Sequence, residues 1–476
     1  MDNASTQPGT APHLKRVLGR MDLVLLFVVA IVNLNVVPSI AANGGVTIWL
    51  WLLALVFFFL PQGIAVIELS QRYPGEGGVY LWTKKYFGDF HGFLSGWCYW
   101  TNNVFYIPTI LLYLVGVGTF AAGPKARTLA DDPQFTFFAA LAALIVLVAL
   151  NVVGVGVGKW VNNLGGIGTW IIATALIVLG VVMFTTHGSA LRASDFRVAG
   201  ADWRIIATFG TICFGLVGLE LGSVMGDEIK DPHRTVPQAV LIGGIASGVL
   251  YLGATLTLLL AVPKESIGVL QGVVQAIQSM AEAVGVNWVV TPLAFVLSIS
   301  IAGIASAWLS GSARIPFVAG IDRYLPASLG KLHPRTATPY VALIVHGVFS
   351  ALFMAFNNLV GRPSVKEAFQ IMLALAVVLQ LVPFLYVYAA LVRIANAPRD
   401  QSGRYGKATL MLAGLSGLIT TAIGMIVAFV PPAGVKSVPI FEVKMILGTA
   451  FFIVLAGFFF FVYSRRKQVQ PAAVGI

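Results

Sequence analysis

One carboxyl group stands apart from the rest of this sequence. Glu220 lies inside the run Phe209-Gly210-Thr211-Ile212-Cys213-Phe214-Gly215-Leu216-Val217-Gly218-Leu219-Glu220-Leu221-Gly222-Ser223. Of the 19 Asp and Glu residues it alone sits deep in an apolar stretch, whereas Glu68 and Asp22 fall near the ends of theirs. A carboxylate in hydrocarbon costs at least about a few kcal/mol, and that cost falls on the charged form, which makes Glu220 a candidate proton carrier. A protonated or paired structural glutamate is the competing reading. The same run holds Gly210, Gly215, Gly218 and Gly222, which loosen its backbone. Small residues also let helices approach closely, but packing alone does not account for the carboxyl group.

A second interruption, Asn33-Leu34-Asn35-Val36-Val37-Pro38-Ser39, breaks another apolar run. Proline removes a helical hydrogen bond and clashes with the preceding turn, and asparagine amides cannot be satisfied by lipid. Such a stretch must face a bundle interior or a cavity, and Asn33, Asn35 and Pro38 are therefore candidate substrate-binding residues. A kinked helix with amides bonded to its neighbours would be the plainer outcome. Where a helix breaks, half-helix N-termini offer N–H groups to a carboxylate and freed carbonyls accept from an ammonium group. Two breaks together suit a zwitterionic amino acid, while an amine or polyamine would use only the acceptor half.

The elements that must position these residues are membrane helices. Of the 476 residues, 58% are hydrophobic and 10% charged, and the mean hydropathy is +0.88, values that place the chain in lipid. A span needs roughly 20 apolar residues, and twelve such stretches fall at about 23–43, 47–69, 92–119, 134–152, 161–185, 204–226, 237–262, 287–312, 338–358, 366–393, 408–430 and 441–464. The connections leave no room for a large soluble domain, which argues against a sensor kinase, a nucleotide-driven pump or a receptor with an ectodomain. The first apolar stretch is too long for a cleaved signal and is expected to be retained.

The net charge of +11 is a topology signal. With the N-terminus inside, roughly two thirds of the Lys and Arg residues fall in cytoplasmic loops, so both termini are expected in the cytoplasm and no nucleic-acid partner is implied. No arginine lies deep within the predicted spans; Arg204 and Arg393 fall only at the ends of theirs. Cys98 and Cys213 both lie in spans and offer no metal spacing. Helices one to five and six to ten form two blocks whose first helices are each interrupted. Because five is odd, the second block enters from the opposite side, an inverted repeat.

Three stretches carry a family likeness. The first runs from Phe59-Leu60-Pro61-Gln62-Gly63 through Arg72-Tyr73-Pro74-Gly75-Glu76-Gly77-Gly78-Val79-Tyr80 to Gly92-Phe93-Leu94-Ser95-Gly96-Trp97. The second is Gly218-Leu219-Glu220 with Asp227-Glu228-Ile229-Lys230-Asp231-Pro232-His233-Arg234-Thr235-Val236-Pro237. The third is Asp322-Arg323-Tyr324-Leu325-Pro326 with His333-Pro334-Arg335 and Thr338-Pro339. In this order they resemble the amino acid/polyamine/organocation transporter superfamily, and the wording around Pro61 to Trp100, with Trp82 and Tyr99, looks most like its glutamate/gamma-aminobutyrate antiporter branch.

The resemblance implies an all-α polytopic membrane protein with twelve transmembrane helices, a five-plus-five inverted repeat of the leucine-transporter kind and two further C-terminal helices. The expected division is a cytoplasmic tail over 1–22, the first repeat over 23–200, the second over 201–395, helices eleven and twelve over 396–464 and a cytoplasmic tail over 465–476. The resemblance also places Gly215 and Gly218 in the unwound part of helix six, Phe214 as an aromatic cap on the substrate, Glu220 at a pH-responsive position and Trp308 as a helix-eight aromatic near the substrate. Two departures stand out. Relatives carry a Gly-Ser-Gly type break in helix one, where this chain has Val32, Asn33, Asn35 and Pro38. Relatives also often carry a lysine near the start of helix five that replaces a sodium ion; here Gly156 falls at that place and Lys159 three residues on, a candidate for that role or an interface anchor.

The expected function is secondary active transport of amino acids across the cytoplasmic (inner) membrane by alternating access, through exchange or proton coupling. An amine or polyamine carrier of the same fold and a non-cycling nutrient sensor are the alternatives. The expected partners are a small-molecule substrate and membrane lipid, with no cofactor and no metal; the oligomeric state is not readable. His346 in helix nine reads as a satisfied structural histidine. No ring of like charges suggests a channel, and Gly154-Val155-Gly156-Val157-Gly158 lacks the strand-to-helix context of a nucleotide site, so an enzyme is not expected.

Overall fold

A computed structural model describes residues 14–188, 191–198, 203–261, 272–360, 365–398, 403–431, 435 and 437–469. Among these the chain is helical. It contains no named strand, only isolated bridges that join Leu18 to Ile229 and Glu76 to Met225.

The helices in order are α1 (Arg20–Ile31), α2 (Val36–Ala41), α3 (Thr47–Ala54), α4 (Leu60–Arg72), α5 (Val79–Phe87), α6 (Asp89–Ala121), α7 (Pro133–Val153), α8 (Val155–His187) and α9 (Ala207–Gly215). They continue as α10 (Leu221–Val224), α11 (Pro232–Ala261), α12 (Gly272–Val284), α13 (Val290–Ser312), α14 (Arg314–Ile321), α15 (Tyr340–Val360), α16 (Val365–Asn396), α17 (Lys407–Val427) and α18 (Val438–Val469). A π-helical turn over Leu55–Phe59 joins α3 to α4. Nine helical runs among the described residues are long and apolar enough to cross a membrane, so the protein is a multi-pass membrane protein. The expected first, sixth and ninth spans are not among the nine: the first and sixth are split into short pieces, α1/α2 and α9/α10, and the ninth is a shorter apolar run over Tyr340–Phe356.

The core is where these split helices sit. The broken α1 packs on α8, α11 and α13, while α6 packs on α13 and α16. Backbones come close at small residues: a Cβ added to Gly165 on α8 would lie 2.6 Å from the Gly303 Cα on α13, the tight crossing that membrane helices use in place of a hydrophobic driving force. In contrast, α7 and α18 turn most of their apolar surface outward, as lipid-facing helices do.

The edges of elements differ from the sequence expectation in ways that have causes. The π turn falls in Leu-Val-Phe-Phe-Phe and is invisible to hydrophobic periodicity, since it shifts the face by one residue within an all-apolar stretch. The last helix runs past residue 464 to Val469. The basic sequence there suits a helix C-terminus through the macrodipole. The boundary drawn between 200 and 201, most of the N-terminal tail and residues 470–476 lie outside the described residues.

Candidate functional site

The first break lies at Val32–Asn35, ahead of Pro38 and not at it. Val32 leaves helical geometry at φ −74°, ψ 73°, and Pro38 sits in the first turn of α2, where its missing N–H costs no hydrogen bond. Pro38 therefore helps start the second half-helix and does not form the gap. The second break spans Leu216–Glu220, between α9 and α10. Gly218 adopts φ +144°, and a Cβ there would lie 2.7 Å from Ile31 Cγ1. Only glycine accommodates both that backbone and the contact, so Gly218 lets the two breaks touch.

The hydroxyl of Tyr251, on α11, joins them. It accepts from the Asn33 N–H at 2.9 Å and lies 2.5 Å from the Ile31 carbonyl and 2.9 Å from the Gly215 carbonyl. Its single proton can serve only one carbonyl at a time. Trp308, on α13, donates its indole N–H to the Ala30 carbonyl at 3.1 Å, a group whose helical donor is lost at the break. In the second break the Gly218 N–H donates to a Glu220 carboxylate oxygen at 2.9 Å. The sequence reading had bared peptide groups meeting a ligand directly, but several are already met by the protein's own side chains. A buried backbone group without a partner would cost free energy comparable to a lost hydrogen bond.

A small cavity remains between the breaks, with room for about one water-sized molecule. Ala30 and Asn33 line it from the first break, and Phe214, Gly215 and Val217 from the second. Asn102 and Tyr106 of α6 and Trp308 of α13 close it. None of these lining residues is charged. Tyr106 stands edge-on to Phe214, with ring centroids 5.3 Å apart, and edge-on to Trp308 at 6.2 Å. Two buried polar atoms of the lining lack a protein partner, the Asn33 side-chain nitrogen and the Asn102 side-chain oxygen. The other half of the Asn102 amide donates to Gln380 Oε1 at 2.7 Å. One unmet donor and one unmet acceptor thus belong to an aromatic-walled cavity, where unpaired polar groups are costly.

Glu220 is fully buried beside this cavity but does not line it. Besides Gly218 it accepts from Gln62 Nε2 at 3.2 Å and from the Tyr99 hydroxyl at 3.1 Å. The Tyr99 ring lies 6.1 Å from that of Trp308, so one tyrosine separates the carboxyl group from the cavity wall.

Of the sequence candidates, Asn33, Phe214, Gly215 and Trp308 converge on one cavity, with Gly218 and Glu220 adjoining it. Asn35 is buried with its side-chain oxygen unpartnered, yet it does not line the cavity. Lys159 is not brought there either: its Nζ lies 3.4 Å from Asp22 Oδ2 and 3.4 Å from the Val17 carbonyl. The Asp22 carboxyl also accepts from Asn163 Nδ2 at 2.7 Å and from the Gly19 N–H at 2.9 Å. Sequence reasoning missed Tyr251, Asn102, Tyr106 and Gln380. A usable signal existed on α6, where Tyr99, Asn102 and Tyr106 recur at helical spacing on one face. Arg314, just beyond the expected span 287–312, is buried. His346 is buried too, with Ser312 Oγ 3.3 Å from its Nδ1. Among the described residues no cluster of His, Cys, Asp or Glu could hold a metal ion.

The model of the amino acid permease family matches residues 17–459. An uncharacterized transporter of Legionella pneumophila is 28% identical over 94% of this chain and 97% of its own length. A probable agmatine/putrescine antiporter of Lactococcus lactis is 23% identical over 90% of this chain and 91% of its own. An uncharacterized transporter of Mycobacterium bovis is 27% identical over 73% and 76%.

Proposed function

We infer that this chain, which belongs to the amino acid permease family and is a secondary transporter rather than an enzyme, carries a small zwitterionic amino acid held between the breaks of α1/α2 and α9/α10. The observation that carries this reading is the cavity shared by both breaks, in which the Asn33 donor and the Asn102 acceptor are unmet. A zwitterion supplies both a carboxylate and an ammonium group, and aromatic faces favour the cation. The cavity is too small for such a cargo as it stands, so binding and release require the surrounding helices to move. In an alternating-access cycle that movement opens the site to one side at a time.

The arrangement we favour has twelve spans, counting each broken pair as one, with a five-plus-five inverted repeat followed by α17 and α18. Both termini then face the cytoplasm of an inner membrane, and the outward apolar faces contact lipid. Glu220 acts as the proton-responsive group through Tyr99, and transport proceeds by exchange or proton coupling.

An amine cargo is the second reading, favoured by the relative named as a probable agmatine/putrescine antiporter. The uncharged cavity wall weighs against a dication. Uptake of a labelled panel of amino acids and diamines into proteoliposomes, with and without internal substrate, separates the readings. Counterflow of a neutral amino acid but not of putrescine supports ours, and the reverse pattern overturns it. Ligand binding with no counterflow would identify a sensor.

A further inference from the structure

A second set of buried charges lies at the end of the bundle that carries the N-terminal segment. Arg314, at the α13–α14 junction, donates from one terminal nitrogen to both carboxylate oxygens of Glu228 at 2.7 and 3.0 Å. Its other terminal nitrogen bonds Ser310 Oγ at 2.8 Å and the Ser310 carbonyl. The Arg314 Nε lies 3.4 Å from Glu76 Oε1, and Glu76 Oε2 accepts from the Asp227 N–H at 3.1 Å. All three side chains, Arg314, Glu228 and Glu76, are buried.

These residues tie together separate parts of the chain. Glu76 is in the loop after α4, Glu228 in the short segment after α10, and Arg314 is the first residue of α14. The Glu228 carbonyl also accepts from the Val17 and Leu18 N–H groups, and the Lys230 N–H returns a bond to Leu18. Opening this end to pass a cargo must separate some of these segments and admit water to the charges.

The charges do not balance. Two buried carboxyl groups face one guanidinium, and Arg314 spends its bidentate contact on Glu228. Asp227, the other charged group facing Glu76, adds a further negative charge from an exposed position. Farther out, Lys159 and Asp22 already pair with each other. Two carboxylates that share one site cannot both stay ionised at ordinary cost.

We propose that Glu76 holds a proton while this end is sealed and releases it when the end opens, making it a second coupling group distinct from Glu220. Burial pushes the Glu76 carboxyl well above the usual carboxylate range and the Glu228 charge adds to this, with Arg314 opposing. In water the group returns to about 4.3. A carboxyl raised in the sealed form favours that form at low pH, and the advantage is lost as pH rises. Between the two values the open-to-sealed ratio should increase up to about tenfold per pH unit. The proposal rests on the alternating-access reading, but its test reads conformation and not transport, so the two can fail separately.

The test uses the full chain in proteoliposomes, with spin labels at Lys230→Cys and Arg323→Cys, exposed positions on the two sides of the Arg314–Glu228 contact. The native thiols are buried. Inter-label distance distributions are recorded from pH 5 to 8 in otherwise unaltered protein and in Glu76→Gln, Glu76→Asp and Glu228→Gln. We expect the long-distance population to grow with pH in the unaltered protein and in Glu76→Asp. Glu76→Gln removes that dependence because it has no proton to lose. Glu228→Gln weakens it as well, because Glu76 can then stay ionised against Arg314. A cluster that merely holds segments together would lose sealing at every pH in Glu228→Gln and keep its slope in Glu76→Gln. That pattern, or an unaltered protein with no pH response, overturns the proposal.

Discussion

The Tyr251 hydroxyl lies 2.9 Å from the Gly215 carbonyl oxygen, at the last residue of α9 before the second break. Because the hydroxyl oxygen of Tyr251 also accepts from the Asn33 N–H, one phenol on α11 couples the ends of two half-helices that are far apart in sequence. Replacing it tests whether the coupling matters. Tyr251→Phe removes the oxygen and keeps the ring against Trp51, with centroids 4.6 Å apart and the planes tilted by 31°. The buried peptide groups left behind cost about 1–3 kcal/mol each. We predict a lower melting temperature and a substrate affinity at least about tenfold weaker, measured by thermal denaturation and radioligand binding.

Trp308 has two duties that can be separated. Trp308→Phe keeps an aromatic wall but gives up the bond to the Ala30 carbonyl, and it should cost about 0.5–1.5 kcal/mol of binding, a few-fold to about tenfold in Kd. Trp308→Ala loses the wall as well and should bind more weakly still. Equal losses in the two variants would mean the ring does not contact the cargo.

Gly218→Ala is predicted to be severe. The added Cβ would meet Ile31 Cγ1 at 2.7 Å in a backbone region that strains any side chain by roughly 1–3 kcal/mol. The expected result is poor recovery of folded protein, or a folded protein whose binding is lost because the breaks are forced apart. Size-exclusion profiles and binding distinguish these, and normal recovery with normal affinity would show that the breaks need not touch.

For Glu220 the conservative variant is informative because Glu220→Gln can still accept from the Gly218 N–H. We predict that exchange of cargo persists while the pH dependence of net uptake flattens. An unchanged rate with an unchanged pH profile would remove Glu220 from coupling and leave it as a cap on the broken helix.

Much of this organisation could be read from residue types. The uneconomical residues, an asparagine pair and a glycine-rich run with a carboxyl group in apolar surroundings, pointed to both breaks because lipid cannot satisfy such groups and they must face the protein interior. The exact seat of the first break was less legible. Pro38 is the most conspicuous breaker, yet the backbone departs from helix at Val32, since proline fits the first turn of the helix that follows. Tyr251 escaped notice for a different reason. A lone tyrosine in a long helix has no sequence mark that tells a core hydrogen bond from a site contact, and only the fold brings α11 against the breaks, whereas Asn102 shares a face of α6 with Tyr99 and Tyr106 at helical spacing. The pairing of Arg314 was not legible either, because its carboxylate partners Glu76 and Glu228 come from distant loops.

The central claim is that one small zwitterion sits between the two breaks and meets Asn33 and Asn102. The most direct measurement is equilibrium binding of the labelled amino acid identified by counterflow to the purified protein and to Asn33→Ala and Asn102→Ala, each checked for folding. Each variant loses one hydrogen-bonding group to a charged partner, about 1.5–3 kcal/mol or roughly ten- to hundredfold in Kd, and the account predicts losses in that range for both. Wild-type affinity in both folded variants would contradict it.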